Sequence, residues 1–142
     1  MIADLLRAGA QVCLPISEHL PFDLIAVSPS MRELRRVQVR YAKAKHGAVM
    51  LHLTRTHADR HGIHCRPLRR EEIDAFAIFC PDTNAVYYVL RDEIPPHQRR
   101  QFFIRLVRSR NGQTKCTRPA ADFAGANRIF GPVAQVDRAG VF

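Results

Sequence analysis

The run from Leu20 to Tyr41, LPFDLIAVSPSMRELRRVQVRY, holds one carboxylate, one amide and one permanent cation at strand spacing: Asp23, Gln38 and Arg40. It reads as two β-strands around the turn residues Ser28-Pro29-Ser30. Side chains alternate faces along a strand, so Val37, Val39 and Tyr41 share one face and Arg36, Gln38 and Arg40 the other. Pairing the strands as a hairpin brings Asp23 near Gln38 and Arg40. Asp23 then offers a strong oxygen ligand to a divalent cation, and Gln38 a weaker, neutral one. Arg40 can clamp a phosphate oxygen, but a guanidinium stays protonated and cannot act as a base. Glu18, a few residues ahead of Asp23, is a candidate second carboxylate. The plain alternatives are a strand-edge Asp23 paired with an arginine, a solvated Gln38 and a solvated turn at Glu18.

Composition says what such a patch would meet. The 142 residues suffice for one domain with a hydrophobic core and no disulfide staples. Lys and Arg number 22 against 13 Asp and Glu, a net charge of +9 with a pI near 10.3. That excess favours a polyanion, nucleic acid ahead of an anionic membrane. No apolar run approaches a spanning helix and no signal peptide opens the chain, so a cytoplasmic location is expected. Candidate DNA contacts are Arg35, Arg36, Lys43, Lys45, Arg55, Arg69 and Arg70, joined by Arg99, Arg100, Arg105, Arg108 and Arg110. Phosphate contacts of this kind give salt-dependent affinity for any sequence, and each residue alone is as readily a solvated surface charge.

A second constellation competes for metal: His57, His61, His64 and Cys65. On a helix His57 and His61 would share a face, and zinc accepts such donors. Arg55, Arg60, Arg66 and Gly62 interrupt the set, and a DNA-contacting loop fits the segment better. Cys13, Cys65, Cys80 and Cys116 form no CxxC pair, and reduced, buried thiols are expected at Cys13 and Cys80.

The elements that must hold these residues follow from local pattern. Residues 2–8, IADLLRA, have helical spacing with Gly9 as a stop. Strands are expected at 10–16, 21–28, 34–41 and 48–53, with a basic turn at 43–47. Residues 54–72 read as a loop or a poorly ordered excursion. IDAFAIFC and AVYYVL around Pro81-Asp82-Thr83-Asn84 form a hairpin signal, and Gln101 to Arg108 alternates loosely. Asn111-Gly112 marks another turn. The Pro-, Gly- and Ala-rich stretch from Thr117 is expected to add little to the core, with a tail from residue 124 to 142.

Five phrases in order resemble the PD-(D/E)XK nuclease superfamily, and within it the small homing endonucleases of bacterial group I introns. They are LLRAGAQVCLP, SEHLPFDLIAV, RRVQVRYAKAKHG, EEIDAFAIFCPDTNAVYYVLRDEIP and RNGQTKCTRPAADF. The resemblance spans roughly residues 5–123 and implies an α/β fold, a single domain (1–123) with a mixed central β-sheet flanked by helices. It implies catalytic roles for Asp23, Gln38 and Arg40, with Asp23, the Val39 carbonyl and Glu18 toward metal, and Mg2+ or Mn2+ as the ion. Double-stranded DNA is the implied partner and a homo-oligomer, dimer or tetramer, the implied assembly, in a prokaryotic cytosol. Two departures stand out. The family's N-terminal helix Glu aligns ahead of Met1, Asp4 being too near Leu5 to replace it, and its Lys is Arg40. The tail GPVAQVDRAGVF is similar to peptides read from transfer-RNA genes, which such introns interrupt. The implied activity is hydrolysis of duplex DNA. The alternative is a non-catalytic nucleic-acid-binding protein on the same fold, and a more distant one is an RNA-binding accessory protein.

Overall fold

The structure, a computed structural model, describes residues 1–108, 111–112 and 117–131. The apolar spacing near the start closes as helix α1 (Ile2–Arg7). Gly9, at φ 84°, ends it: its amide donates to the Leu6 carbonyl and the Ala10 amide to the Leu5 carbonyl. That is a left-handed cap favouring glycine. β1 (Gln11–Cys13), β2 (Leu24–Val27) and β3 (Leu34–Tyr41) follow as antiparallel neighbours, with Leu24 opposite Val37. The chain then makes β4 (Ala44–Lys45), β5 (Ala48–His52), β6 (Thr54–Asp59) and β7 (Gly62–Pro67). β8 (Ala75–Cys80) runs parallel to β3 and antiparallel to β9 (Ala85–Leu90). The result is a mixed five-stranded sheet, β1-β2-β3-β8-β9. β10 (Gln101–Arg105) returns to β5 in a three-stranded antiparallel sheet, β10-β5-β4.

Alternation decides which face each residue buries. Leu24, Ala26, Val37, Ala75, Ala77 and Tyr88 pack under Leu5 of α1 and under Ala126 and Ile129 of a 3-10 helix, Ala126–Phe130. On the other face Phe76, Ile78, Cys80 and Val89 meet Val49, Leu51 and Leu53 and, from β10, Phe102 and Ile104. The single domain with a mixed sheet is as expected; the flanking helices are not confirmed. One face is roofed by strands, because the crossover from β3 to β8 carries the period-two pattern Val49, Leu51, Leu53 instead of a helical one. The other is covered by one six-residue helix and a 3-10 turn.

Three further expectations need correction. Residues 54–67 are not an irregular loop but the two-stranded ribbon β6–β7, with Asp59 opposite Gly62 across the turn. The contribution to the core does not stop at residue 123, since Ile129 is 1% exposed and Arg128 pairs with Glu93. Cys13 is exposed while Cys80 is buried, because β1 is an edge strand with only one neighbour. Arg110, Cys116 and the tail from residue 132 lie outside the described residues.

His46 and Gly47, both at positive φ (52° and 71°), form the two-residue turn between β4 and β5. A Cβ on Gly47 would collide with Val107 Cγ2. Gly47→Ala is therefore expected to cost about 1–3 kcal/mol from strain and overpacking. The check is a lowered urea midpoint at constant slope; an unchanged midpoint would contradict this packing of Val107 on the turn.

Candidate active site

Asp23 stands one residue before β2, whose first residue, Leu24, sits opposite Val37. The Asp23 amide donates to the Val37 carbonyl at 3.0 Å. Its side chain turns back along the ladder, where Oδ2 accepts from the Val39 amide at 2.6 Å. Amide and carbonyl of one strand residue point to the same edge, so the Val39 carbonyl also faces the Asp23 side, past the end of β2. Gln38 is 6% exposed, and its Oε1 is buried without a hydrogen-bond partner among the described residues. Arg40, on the same face, donates from Nη2 to the Thr54 carbonyl at 3.5 Å, while its buried Nε has no partner among the described residues. Burial pushes the Arg40 guanidinium below its ordinary pKa; the Asp23 charge opposes this and Arg55 adds to it. Gln38 and Arg40 thus share one face of β3, and Asp23 lies beside them at the start of β2, its carboxylate on the Val39 amide and its charge acting on Arg40.

By donor type these atoms suit a hard divalent cation. Asp23 gives a carboxylate, Gln38 a buried amide oxygen that otherwise forfeits about 1–3 kcal/mol, and Val39 a carbonyl. All are oxygens, as Mg2+ or Mn2+ prefers. No cluster of three or more His, Cys, Asp or Glu that could hold a metal occurs among the described residues. Glu18 is exposed in the connection to β2 and makes no hydrogen bond or ion pair among the described residues. Asp4 cannot supply the second carboxylate. It accepts from the Tyr88 hydroxyl at 2.7 Å on the opposite face of the sheet, where burial, then Asp4 itself, push the phenol pKa up.

The arginines divide into engaged and available ones. Arg36 is spent inside the fold: its backbone amide and Nε reach Asp74 Oδ2 at 2.8 and 3.0 Å, and its Nη2 reaches Oδ1 at 3.0 Å. Arg70 donates to the Ile94 and Pro95 carbonyls, and Arg35 pairs with Glu33 at 3.2 Å. Arg36 and Arg70, expected among the DNA contacts, are each engaged in closing a tertiary junction. Lys43, Lys45, Arg69, Arg99, Arg100, Arg105 and Arg108 are exposed, as is Arg55, whose Nη2 lies 3.5 Å from the Leu20 carbonyl.

The Asp74 cluster has a pH signature. The hydrogen bond from Arg36, foremost, holds the Asp74 carboxyl below the usual range against the opposing effect of burial, and Arg91 assists. A carboxyl depressed on folding stabilises fully above its unfolded pKa, about 3.9, and loses that contribution as pH falls through the folded value. Asp74→Asn is expected to lower stability at neutral pH and to flatten the acid limb below about pH 4. Calorimetric melting across that range checks it; an acid limb like the parent's would contradict it.

The helix premise of the His/Cys constellation fails. The segment is a ribbon in which His57 stands opposite His64 and His61 sits in the turn. His64 Nε2 lies 3.2 Å from Asp59 Oδ1, His61 Nε2 accepts from Arg60 Nε at 3.0 Å, and Cys65 faces Thr56 at 3.7 Å. The described side chains of this ribbon from Arg55 to Pro67 are exposed. Sequence reasoning missed the ribbon, although Asp59-Arg60-His61-Gly62 between β-branched residues is a hairpin signal.

Against known proteins, a family described as PD-(D/E)XK endonuclease matches residues 1–126. The fold is similar to that of I-Ssp6803I, a bacterial homing endonuclease, with a TM-score of 0.61 and 23% identity over 80% of this chain and 75% of that one. No curated protein sequence matches the chain at a significant level. With 1–126 covered, sheet and hairpin included, the chain belongs to the PD-(D/E)XK endonuclease family.

Proposed function

We propose that the protein is a metal-dependent endonuclease of duplex DNA, of the homing kind, with Asp23, Gln38 and Arg40 as its cleavage patch. One observation carries the reading: two orphaned buried polar atoms, the Gln38 Oε1 acceptor and the Arg40 Nε donor, on one face of β3 with Asp23 beside it. A cation and a phosphate satisfy both. Asp23, Gln38 Oε1 and the Val39 carbonyl would hold the ion. Bound Mg2+ or Mn2+ supplies acidified water and neutralises charge on the phosphate. Arg40 binds a non-bridging oxygen and offsets the charge that builds in the transition state. It keeps its proton throughout, so it contributes electrostatics and no base. Two or four copies would set a patch against each strand of the duplex, in the cytoplasm.

A second reading, a DNA-binding protein that no longer cuts, is favoured by the absence of a three-ligand His, Cys, Asp or Glu cluster among the described residues and by arginine at position 40. The separating experiment is nicking of duplex DNA carrying an intron-free transfer-RNA gene, with and without Mg2+. Nicking that a chelator stops supports the enzyme. Salt-sensitive binding without nicks, converted to nicking by Arg40→Lys, supports the second reading.

A further inference from the structure

Beside the cleavage patch lies a cleft of about 330 Å³, within the size range of small-molecule sites. Its apolar wall is Leu53, Ile73, Phe76 and Ile94. Phe76 is the ladder partner of Gln38, and Leu53 precedes Thr54, whose carbonyl Arg40 bonds. Cleft and patch therefore sit on the same sheet face, one strand apart. Gln98 lines the cleft with a buried Oε1 that has no hydrogen-bond partner among the described residues. Arg69 and Arg99 line it too, exposed and without hydrogen bonds or ion pairs from their side chains among the described residues. Glu71 is the one carboxylate in the lining.

We infer that this cleft takes a single nucleotide turned out of the DNA, its base against the apolar wall and its phosphate on Arg69 and Arg99. The chemistry selects that occupant. An apolar wall suits the face of a base, and guanidinium planes stack on bases as well as clamp phosphate. Gln98 Oε1 and Glu71 are acceptors, and every base carries an N–H donor on its pairing edge. A bare inorganic anion would leave the wall and the Gln98 oxygen unused and meet Glu71. A purely apolar ligand would leave the arginines unused. The inference rests on the DNA reading above and adds a place for one displaced nucleotide beside the scissile phosphate.

An unpaired nucleotide is already free of the stacking and pairing that extrusion must otherwise overcome. The test compares affinity for a duplex with one bulged adenosine against the fully paired duplex, by fluorescence anisotropy in chelator, with deoxyadenosine monophosphate as competitor. Wild type is expected to prefer the bulge by about tenfold, one well-made set of base contacts. Gln98→Leu and, separately, Arg99→Ala are expected to reduce that ratio to near one. Equal affinity for both duplexes overturns the cleft while leaving salt-sensitive DNA binding intact. A bulge preference that both variants retain overturns it too. If the free nucleotide competes as strongly as the bulged duplex, the occupant is a free nucleotide and extrusion is refuted. No binding to either duplex removes the DNA reading and the cleft with it.

Discussion

Asp23→Ala is expected to reduce magnesium-dependent nicking by about 10³-fold, close to 4 kcal/mol of transition-state stabilisation. The size follows from the donor set. Asp23 is the charged oxygen of the proposed donor set, and Gln38 Oε1 and the Val39 carbonyl cannot hold Mg2+ against water by themselves. The hydrogen bond to the Val39 amide is lost as well, and Asp23 is exposed, so folding should suffer by only about 1–2 kcal/mol. Asp23→Asn separates the two effects: it keeps an acceptor for Val39 and removes the charge. Duplex affinity should hold or rise in both variants, because a negative charge leaves a basic surface. Single-turnover nicking on a plasmid substrate, with melting temperature as control, reads all of this. Nicking that persists in Asp23→Ala would remove the patch from the chemistry.

The ribbon carries the second large effect. Replacing Arg55, Arg60 and Arg66 together by Ala is expected to lower duplex affinity by about one to two orders of magnitude at low salt. The slope of log affinity against log salt should fall by between about two and three, from roughly 0.9 per lost phosphate contact. A two-stranded ribbon has the width to enter a major groove, and this one leaves the body next to the patch, Thr54 at its base touching Arg40. None of the three arginines contributes to the hydrophobic core, so the triple variant should unfold like the parent. An unchanged salt slope would assign DNA contact to the outer face of the second sheet instead, where Lys45 and Arg105 lie.

The candidate site was legible because strand alternation and hairpin pairing are local rules. Val37, Val39 and Tyr41 fell to one face and Gln38 and Arg40 to the other, and the antiparallel pairing of β2 with β3 brings Asp23 beside Val39. The partners of Arg36 and Arg70 were not legible. Asp74 and the carbonyls of Ile94 and Pro95 come from sequence-distant positions, and a guanidinium looks the same in sequence whether solvated or locked. The roof over the sheet was also hidden: Val49, Leu51 and Leu53 read correctly as a strand, yet nothing local says it packs as a second sheet. Arg128 and Ile129 were missed because a Gly- and Ala-rich composition suggests a loose tail, whereas an ion pair to Glu93, a hydrogen bond to the Tyr88 carbonyl of β9 and a buried isoleucine fasten that turn to the body.

Paramagnetic broadening by Mn2+ on the uniformly 15N-labelled protein tests the central claim most directly, since it locates the ion without requiring cleavage. The amides of Asp23, Leu24, Gln38, Val39 and Arg40 should fade first, and Asp23→Ala should restore them. Broadening centred on His64 and Cys65 of the ribbon, or none that depends on Asp23, would contradict a metal on this hairpin.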